Sequence, residues 1–92
     1  MKVSIKLYSF IKDAAGVSKE SIEINEGTTL AGLLDFLVSR YGRKFKEAIL
    51  KEGRLNPHIK IFCSEKLINK NDLSLMLEEG NEILMFPPVS GG

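Results

Sequence analysis

The chain has 92 residues, of which 43% are hydrophobic, and it carries 13 lysines and arginines against 12 aspartates and glutamates. A chain of this length forms one domain around a single small core. The net charge of +1 gives no global electrostatic reason to expect nucleic acid or a membrane as a partner. The single cysteine excludes an internal disulfide and any metal site built from several cysteines.

The first residues do not have the pattern of a secretion signal. Residues 1–5 alternate between apolar and polar instead of opening a continuous apolar stretch. The sequence contains no apolar run close to the ~18 residues that a membrane-spanning helix needs. We therefore expect a cytoplasmic protein.

Two closely spaced strands are predicted at the start of the chain. Residues 2–8 alternate between polar and apolar, the period-two pattern of a half-buried strand, and residues 20–25 alternate again. A polar turn is predicted between them, through Asp13, Gly16 and Ser18. Strands so close in sequence favour an antiparallel hairpin with a rather long loop.

A helix is predicted after this hairpin. Thr28 or Thr29 can cap its N-terminus through the side-chain hydroxyl. One apolar stripe at helical spacing is formed by Leu30, Leu33, Leu34, Leu37 and Tyr41. Gly42 is suited to end the helix.

The second half of the chain predicts a further short helical turn and more strands. These elements are a helical turn at Phe45, Ile49 and Leu50, a strand at 58–63, a short strand at 66–68 and a last strand at 82–86. Residues 72–77 are ambiguous between a turn of helix and extended chain, and Glu79, Gly80 and Asn81 indicate a turn. The order of elements predicts one mixed sheet that packs on one principal helix.

The end of the sequence, residues 86–92, is its most informative segment. Pro87 and Pro88 fix φ and favour a stiff, extended run that leaves the fold. Gly91 and Gly92 have no side chains, so they can pass through a channel too narrow for other residues. The pattern favours a carboxylate that is delivered into the active site of another protein. The alternative is a frayed chain end, where glycine is common.

Together, the opening hairpin, the leucine-striped helix, the turn at 79–82 and the ending Phe-Pro-Pro-Val-Ser-Gly-Gly resemble the MoaD/ThiS sulfur-carrier family. Within that family the chain is most similar to the archaeal-type MoaD branch, the small subunits of molybdopterin synthase. The resemblance implies an α+β, ubiquitin-like β-grasp fold with four to five strands in a mixed sheet on one main helix. It places this domain in residues 1–86 and a flexible tail in residues 87–92.

The resemblance also implies a chemistry at the C-terminus. The carboxylate of Gly92 would be adenylated by an E1-like, MoeB-like enzyme that uses ATP, and a sulfur donor would then convert it to a thiocarboxylate. The chain would bind no cofactor and would not be an enzyme, but a carrier that joins a larger, MoaE-like synthase subunit. Access for the reactive group would be provided by the preceding tail residues, Pro87, Pro88, Val89, Ser90 and Gly91.

This interpretation needs no catalytic acid, base or metal within the chain. The lone His58 and the lone Cys63 do not form a convincing pair of nucleophile and base. We expect His58 to lie at the surface near a strand end, and Cys63 to face the core, as free cysteines usually do.

One segment departs from the pattern of the family. Members commonly carry Val-Asn-Gly in the turn after the third strand, whereas this chain has Phe62, Cys63, Ser64 and Glu65 there. We therefore expect a looser hairpin at this position.

A docking surface is predicted from strand alternation. If Ile61 points to the core, Phe62 points to the opposite face, and Leu84 and Phe86 of the last strand emerge on that same face. Val89 would extend the patch along the tail. Exposed apolar patches of this kind often mark protein interfaces. The alternative is that both faces are covered and these residues are core.

The sequence leaves three classes of function open. The first is a sulfur carrier, for molybdenum or tungsten cofactor synthesis or for another pathway such as thiamine, cysteine or tRNA thiolation. The second is a ubiquitin-like modifier, in which a lysine amine of a target captures the activated Gly92. The third is an interaction domain with an incidental tail.

Overall fold

The computed structural model describes residues 1–69 and 72–87, and these form seven strands and three helices. The strands are β1 (Lys2–Leu7), β2 (Lys19–Glu23), β3 (Leu50–Lys51), β4 (Arg54–Leu55), β5 (Lys60–Cys63), β6 (Lys66–Leu67) and β7 (Glu82–Phe86). The helices are α1 (Ser9–Ala15), α2 (Leu30–Tyr41) and α3 (Arg43–Ile49). The predicted positions of the longer strands and of the main helix are confirmed.

Five strands form one mixed sheet in the order β2-β1-β7-β5-β6. The predicted hairpin of β1 and β2 is antiparallel, with Val3 opposite Ile22. The last strand, β7, lies in the centre, parallel to β1 and antiparallel to β5. Strand β7 therefore pairs with a neighbouring strand on each side. This pairing fixes the position of Phe86, from which the chain continues.

The segment between β1 and β2 differs from the prediction. Instead of a polar turn through Asp13, Gly16 and Ser18, most of it is helix α1, which contains Asp13 and ends at Gly16. Gly16 has φ 82°, and its N–H donates to the carbonyl of Lys12 at 2.9 Å. Tertiary packing explains the helix, because Ile11 is fully buried in the core, whereas Phe10 is exposed and the other residues of the helix are polar or small.

Helix α2 has the predicted cap, stripe and end. The hydroxyl of Thr29 accepts a hydrogen bond from the N–H of Gly32 at 3.2 Å. The four leucines of the stripe are buried, and its last member, Tyr41, is half-buried. Gly42 ends the helix with φ 91°, a conformation that favours glycine.

The predicted second helical turn is α3, and it buries Phe45 and Ile49. The prediction missed the small hairpin that follows, in which β3 and β4 pair around Glu52 and Gly53. Both turn residues have positive φ, 55° and 79°. These two-residue strands carry too little pattern to be seen in the sequence.

A single hydrophobic core lies between the sheet and the helices. Its fully buried members include Ile5 and Ile83, which are direct neighbours in the β1–β7 pair, and Phe45. No polar or charged side chain is buried among residues 1–69 and 72–87. The ambiguous segment 72–77 is neither helix nor strand: it has a turn at Leu73 and Ser74 and an isolated bridge from Met76 to Thr29. It joins the core through Leu77, whose N–H donates to the carbonyl of Thr28 at 2.9 Å.

The hairpin of β5 and β6 is tight, so the expectation of a loosened turn is wrong. Phe62 pairs with Leu67 and Cys63 with Lys66, which leaves only Ser64 and Glu65 in the loop. Both residues have positive φ, 48° and 73°, as two-residue hairpin turns of the primed type require. The Ser64 hydroxyl also accepts a hydrogen bond from the N–H of Glu82 at 3.3 Å, which ties the turn to β7.

A polar cluster ties β2 to the end of α2. The Glu20 carboxylate accepts hydrogen bonds from the Arg40 guanidinium, at 3.1 Å to Nε, and from the Tyr41 hydroxyl. The bond from Arg40, followed by that from Tyr41, lowers the pKa of Glu20 from 4.5 to about 2. These bonds connect the edge strand β2 to the C-terminal end of α2 on the helix-covered side of the sheet.

The predicted division into a domain at 1–86 and a tail at 87–92 falls partly outside the described residues. Pro87 directly follows β7 and is half-buried. Pro88, Val89, Ser90, Gly91 and Gly92 lie outside the described residues.

Candidate functional site

The sheet has one face that carries no helix, and β5 and β7 place apolar side chains on it. In β7, Ile83 and Met85 are fully buried on the core side, whereas Leu84 and Phe86 alternate to the other side and are half-buried. In β5, Phe62 is half-buried between two buried neighbours. The three residues predicted from alternation therefore share this open face.

Aromatic contacts join these side chains. The rings of Phe62 and Phe86 meet edge to face, with centroids 5.7 Å apart. The ring of Phe86 also stacks on that of Tyr8, with centroids 4.3 Å apart and an angle of 7° between the planes. These arrangements add to the energy of burial and fix the orientation of Phe86 at the end of β7.

Two further residues of this apolar face were not predicted from the sequence. Tyr8 lies one residue beyond β1, and Leu67 lies in the two-residue strand β6, where it pairs with Phe62 and is 54% exposed. Continuing the alternation of residues 2–8 would have placed Tyr8 on this face. We call Tyr8, Phe62, Leu67, Leu84 and Phe86 the open-face patch.

The open-face patch lies where the chain leaves the sheet toward its C-terminus. Phe86 is the last residue of β7 and is packed within the patch, and Pro87 follows at once. Five residues separate Pro87 from the end of the sequence. A protein that bound the patch would therefore cover the point from which residues 88–92 continue.

His58 and Cys63 lie where they were predicted. His58 is exposed, and Cys63 faces the core with 8% of its surface accessible. Burial raises the pKa of the Cys63 thiol, which disfavours the reactive thiolate. Neither residue belongs to the open-face patch.

The described part of the chain lacks two other kinds of feature, a metal-binding cluster and a membrane-spanning helix. Within those residues, no group of three or more His, Cys, Asp or Glu side chains is placed to hold a metal ion. No helix there has the length and apolar character needed to cross a membrane. We take the open-face patch as the candidate site because its aromatic side chains surround the residue from which the chain leaves the sheet.

Comparison with known proteins defines the class. The chain belongs to the ThiS family, whose model matches residues 5–92. It is 24% identical over 92 residues to the molybdopterin synthase sulfur carrier subunit of Drosophila erecta, a match that spans 100% of this chain and 92% of that protein. At the level of class, the chain is a small sulfur carrier of the ThiS/MoaD type.

Solved structures confirm the fold. The chain superposes on SAMP1 from Haloferax volcanii with a TM-score of 0.87 and 25% identity, over 100% of both chains. It is also similar to a chain in the complex of subunits 1 and 2 of molybdopterin-converting factor from Helicobacter pylori, with a TM-score of 0.65 and 25% identity over 100% of both chains. The predicted ubiquitin-like β-grasp fold is therefore confirmed, and at least one similar protein forms a complex with a second subunit.

Proposed function

We propose that the chain is the small subunit of a molybdopterin synthase, and that it donates sulfur from a thiocarboxylate on Gly92 to the pterin precursor of the molybdenum or tungsten cofactor. The observation that carries the proposal is the open-face patch, an apolar surface that adjoins the start of a Gly-Gly tail. The similar chains named as a synthase sulfur carrier and as a converting-factor subunit support the choice of pathway.

The reaction at Gly92 would run in two displacements. A carboxylate is a poor electrophile, so an oxygen of Gly92 first attacks the α-phosphorus of ATP, and pyrophosphate leaves. A sulfide equivalent from a donor then attacks the carbonyl carbon of the acyl adenylate, and AMP leaves. The thiocarboxylate that results holds the sulfur until the pterin precursor takes it. The adenylating enzyme and the large subunit would supply the catalytic groups.

The open-face patch would dock the chain on these partners. Burial of the patch in a complex would remove half-buried aromatic and aliphatic surface from water, and aromatic residues near the centre of an interface carry much of its binding energy. Because Phe86 and Pro87 are adjacent, docking would also aim residues 88–92 into the partner's active site. The same surface would serve the E1-like enzyme and the large subunit in turn. We place these steps in the cytoplasm.

A protein modifier is the second candidate, since the structural likeness extends to SAMP1 from Haloferax volcanii. The chemistry diverges only at the second displacement, because a lysine amine attacks the same carbonyl that sulfide attacks. The two functions therefore differ in the acceptor of the activated carbonyl, which is sulfide for the carrier and a lysine amine for the modifier.

A sulfur-transfer experiment tests the proposal. The chain is thiocarboxylated with the E1-like enzyme, ATP and sulfide, purified, and mixed with the large synthase subunit and the pterin precursor. We expect loss of sulfur from the terminus together with formation of the dithiolene product. A variant with one residue added after Gly92 is the control, because the addition moves the reacting carbonyl by ~3.5 Å. Stable conjugates to lysines, without transfer to the pterin, would instead support the modifier.

A further inference from the structure

A concave surface lies beside the open-face patch. It is a hollow of about 370 Å³ between the end of β1, the start of α1 and the start of β2. Its polar lining residues are three lysines and three residues that carry a hydroxyl group, namely Lys6, Tyr8, Ser9, Lys12, Ser18 and Lys19. We call it the lysine hollow.

The charge of the lysine hollow is poorly compensated within the fold. Lys6 and Lys19 stand directly opposite each other on β1 and β2, an arrangement of like charges that costs stability. The Nζ of Lys6 is 3.9 Å from a carboxylate oxygen of Glu82. For Lys12 and Lys19, the described part of the chain offers no carboxylate oxygen within 4 Å of either ammonium group.

The nearest acidic residues in the sequence do not line the lysine hollow. Glu20 follows Lys19, but strand alternation turns it to the other face, where Arg40 and Tyr41 bind its carboxylate. Asp13 follows Lys12 and lines an adjoining depression next to Gly16, which shares Lys12 and Ser18 with the lysine hollow. Lys12 and Lys19, which have no carboxylate partner within the described residues, therefore present positive charge at this surface, and Lys6 shares its charge with Glu82.

The lysine hollow and the open-face patch form one continuous surface. Tyr8 belongs to both, because it lines the lysine hollow and stacks on Phe86. Lys6 is the cross-strand neighbour of Leu84, and Lys60 pairs with Phe86 on the opposite side. An apolar centre with a polar, solvent-accessible rim is the usual composition of a protein–protein interface.

We propose that Lys6, Lys12 and Lys19 bind a carboxylate-rich surface of the adenylating enzyme that receives the C-terminal tail. The proposal rests on the proposed function and names the chemistry of its first partner. A protein is favoured over a small anion because the lysine hollow is open and shares Tyr8 with the apolar patch, so one partner would cover both. Opposite charges at such a rim accelerate association and orient the encounter.

The test uses a charge-reversed variant and a matched control. K12E/K19E reverses two lysines of the hollow and keeps Lys6, which contacts Glu82. K44E/K51E makes the same change in net charge at two exposed lysines that lie on α3 and β3. Pyrophosphate exchange by the E1-like enzyme is measured against carrier concentration, at low and high salt, and thermal unfolding of each variant is followed.

We expect K12E/K19E to raise KM on the order of tenfold at low salt with kcat unchanged, and the difference to shrink as salt screens the charges. K12Q/K19Q should show a smaller rise, and K44E/K51E should match the wild type. Equal effects of K12E/K19E and K44E/K51E, or no effect of either, would overturn the proposal while leaving the carrier function intact. Saturable binding of inorganic pyrophosphate that K12E/K19E abolishes would assign the hollow to a small anion instead. A wild-type chain that the enzyme does not activate would overturn the proposed function as well.

Discussion

Replacing Phe62 with aspartate separates a docking role of the open-face patch from a purely structural one. In the free protein, Phe62 is half-buried and makes one edge-to-face contact, with Phe86. Such a contact is worth about 0.5–1.5 kcal/mol beyond the burial of area. We therefore expect Phe62→Asp to lower the free energy of unfolding by only about 1–2 kcal/mol, and the protein to stay folded.

The effect on partner binding should be much larger. An aromatic residue at the centre of an interface typically contributes about 2 kcal/mol or more, and an aspartate there would also bury an unpaired charge. We expect the affinity for the adenylating enzyme to fall at least about thirtyfold. Titration calorimetry measures the affinity, and a thermal melt verifies that the variant is folded.

Phe36→Asp is the matched control. Phe36 lies on α2, outside the open-face patch, and is 41% exposed. The same chemical change there should leave the affinity within about twofold of the wild type. If folded Phe62→Asp binds normally, or if Phe36→Asp weakens binding equally, the docking role of the patch is refuted.

Three further predictions concern the fold that supports the site. Hydrogen bonds hold the pKa of Glu20 at about 2, below its ordinary value of 4.5. They stabilise the folded protein fully at pH values above 4.5, and this contribution is lost as the pH falls from 4.5 toward 2. Because Glu20 and Arg40 are partly exposed, we expect this contribution to the free energy of unfolding to be about 1 kcal/mol. Urea-unfolding curves of the wild type and of Glu20→Gln should therefore differ at pH 7 and converge toward pH 2. A difference that stays constant with pH would contradict this expectation. Ile83→Ala, in the central strand, should lower the free energy of unfolding by about 3 kcal/mol in the same assay. A decrease below about 1 kcal/mol would show instead that the surrounding core relaxes to fill the cavity. Glu65→Gly should raise the free energy of unfolding by about 0.5 kcal/mol, because φ 73° is strained for glutamate, and a lower value would argue against strain in this turn.

The elements that the sequence predicted well are those with a strong local pattern. Helix α2 has a threonine cap, a leucine stripe and a glycine end, and all three signals are local. Strand β1 alternates without interruption, and β7 is bounded by a turn and by Pro87. Each of these elements can be identified without knowledge of its neighbours.

The errors arise where tertiary contacts decide the local structure. Helix α1 has one buried side chain, Ile11, so its seven residues carry too little periodicity to be distinguished from a polar turn. The turn at Ser64 and Glu65 has neither glycine nor asparagine, yet it is tight because Ser64 is hydrogen-bonded to the N–H of Glu82 in β7. That contact joins residues far apart in sequence.

Only part of the candidate site was predicted, because tertiary contacts also decide which residues belong to it. Phe62, Leu84 and Phe86 follow from the alternation of two recognisable strands, and the structure places them on one face. Alternation along β1 places Tyr8 on the same face, but its contact with Phe86 depends on the order of strands, since β1 flanks β7. The position of Leu67 depends on that order in the same way, since β6 flanks β5. The role of Gly92 stays a prediction, because it rests on the terminal sequence and on the family rather than on the described residues.

The central claim, that Gly92 is the group that carries sulfur, is tested most directly by intact mass spectrometry of the chain after incubation with the E1-like enzyme, ATP and sulfide. We predict replacement of one oxygen by sulfur, mapped by fragmentation to the terminal carboxylate, and no replacement in a chain that lacks Gly91 and Gly92. An unchanged mass with the enzyme shown to be active, or sulfur retained at the same level after removal of both glycines, would contradict the account.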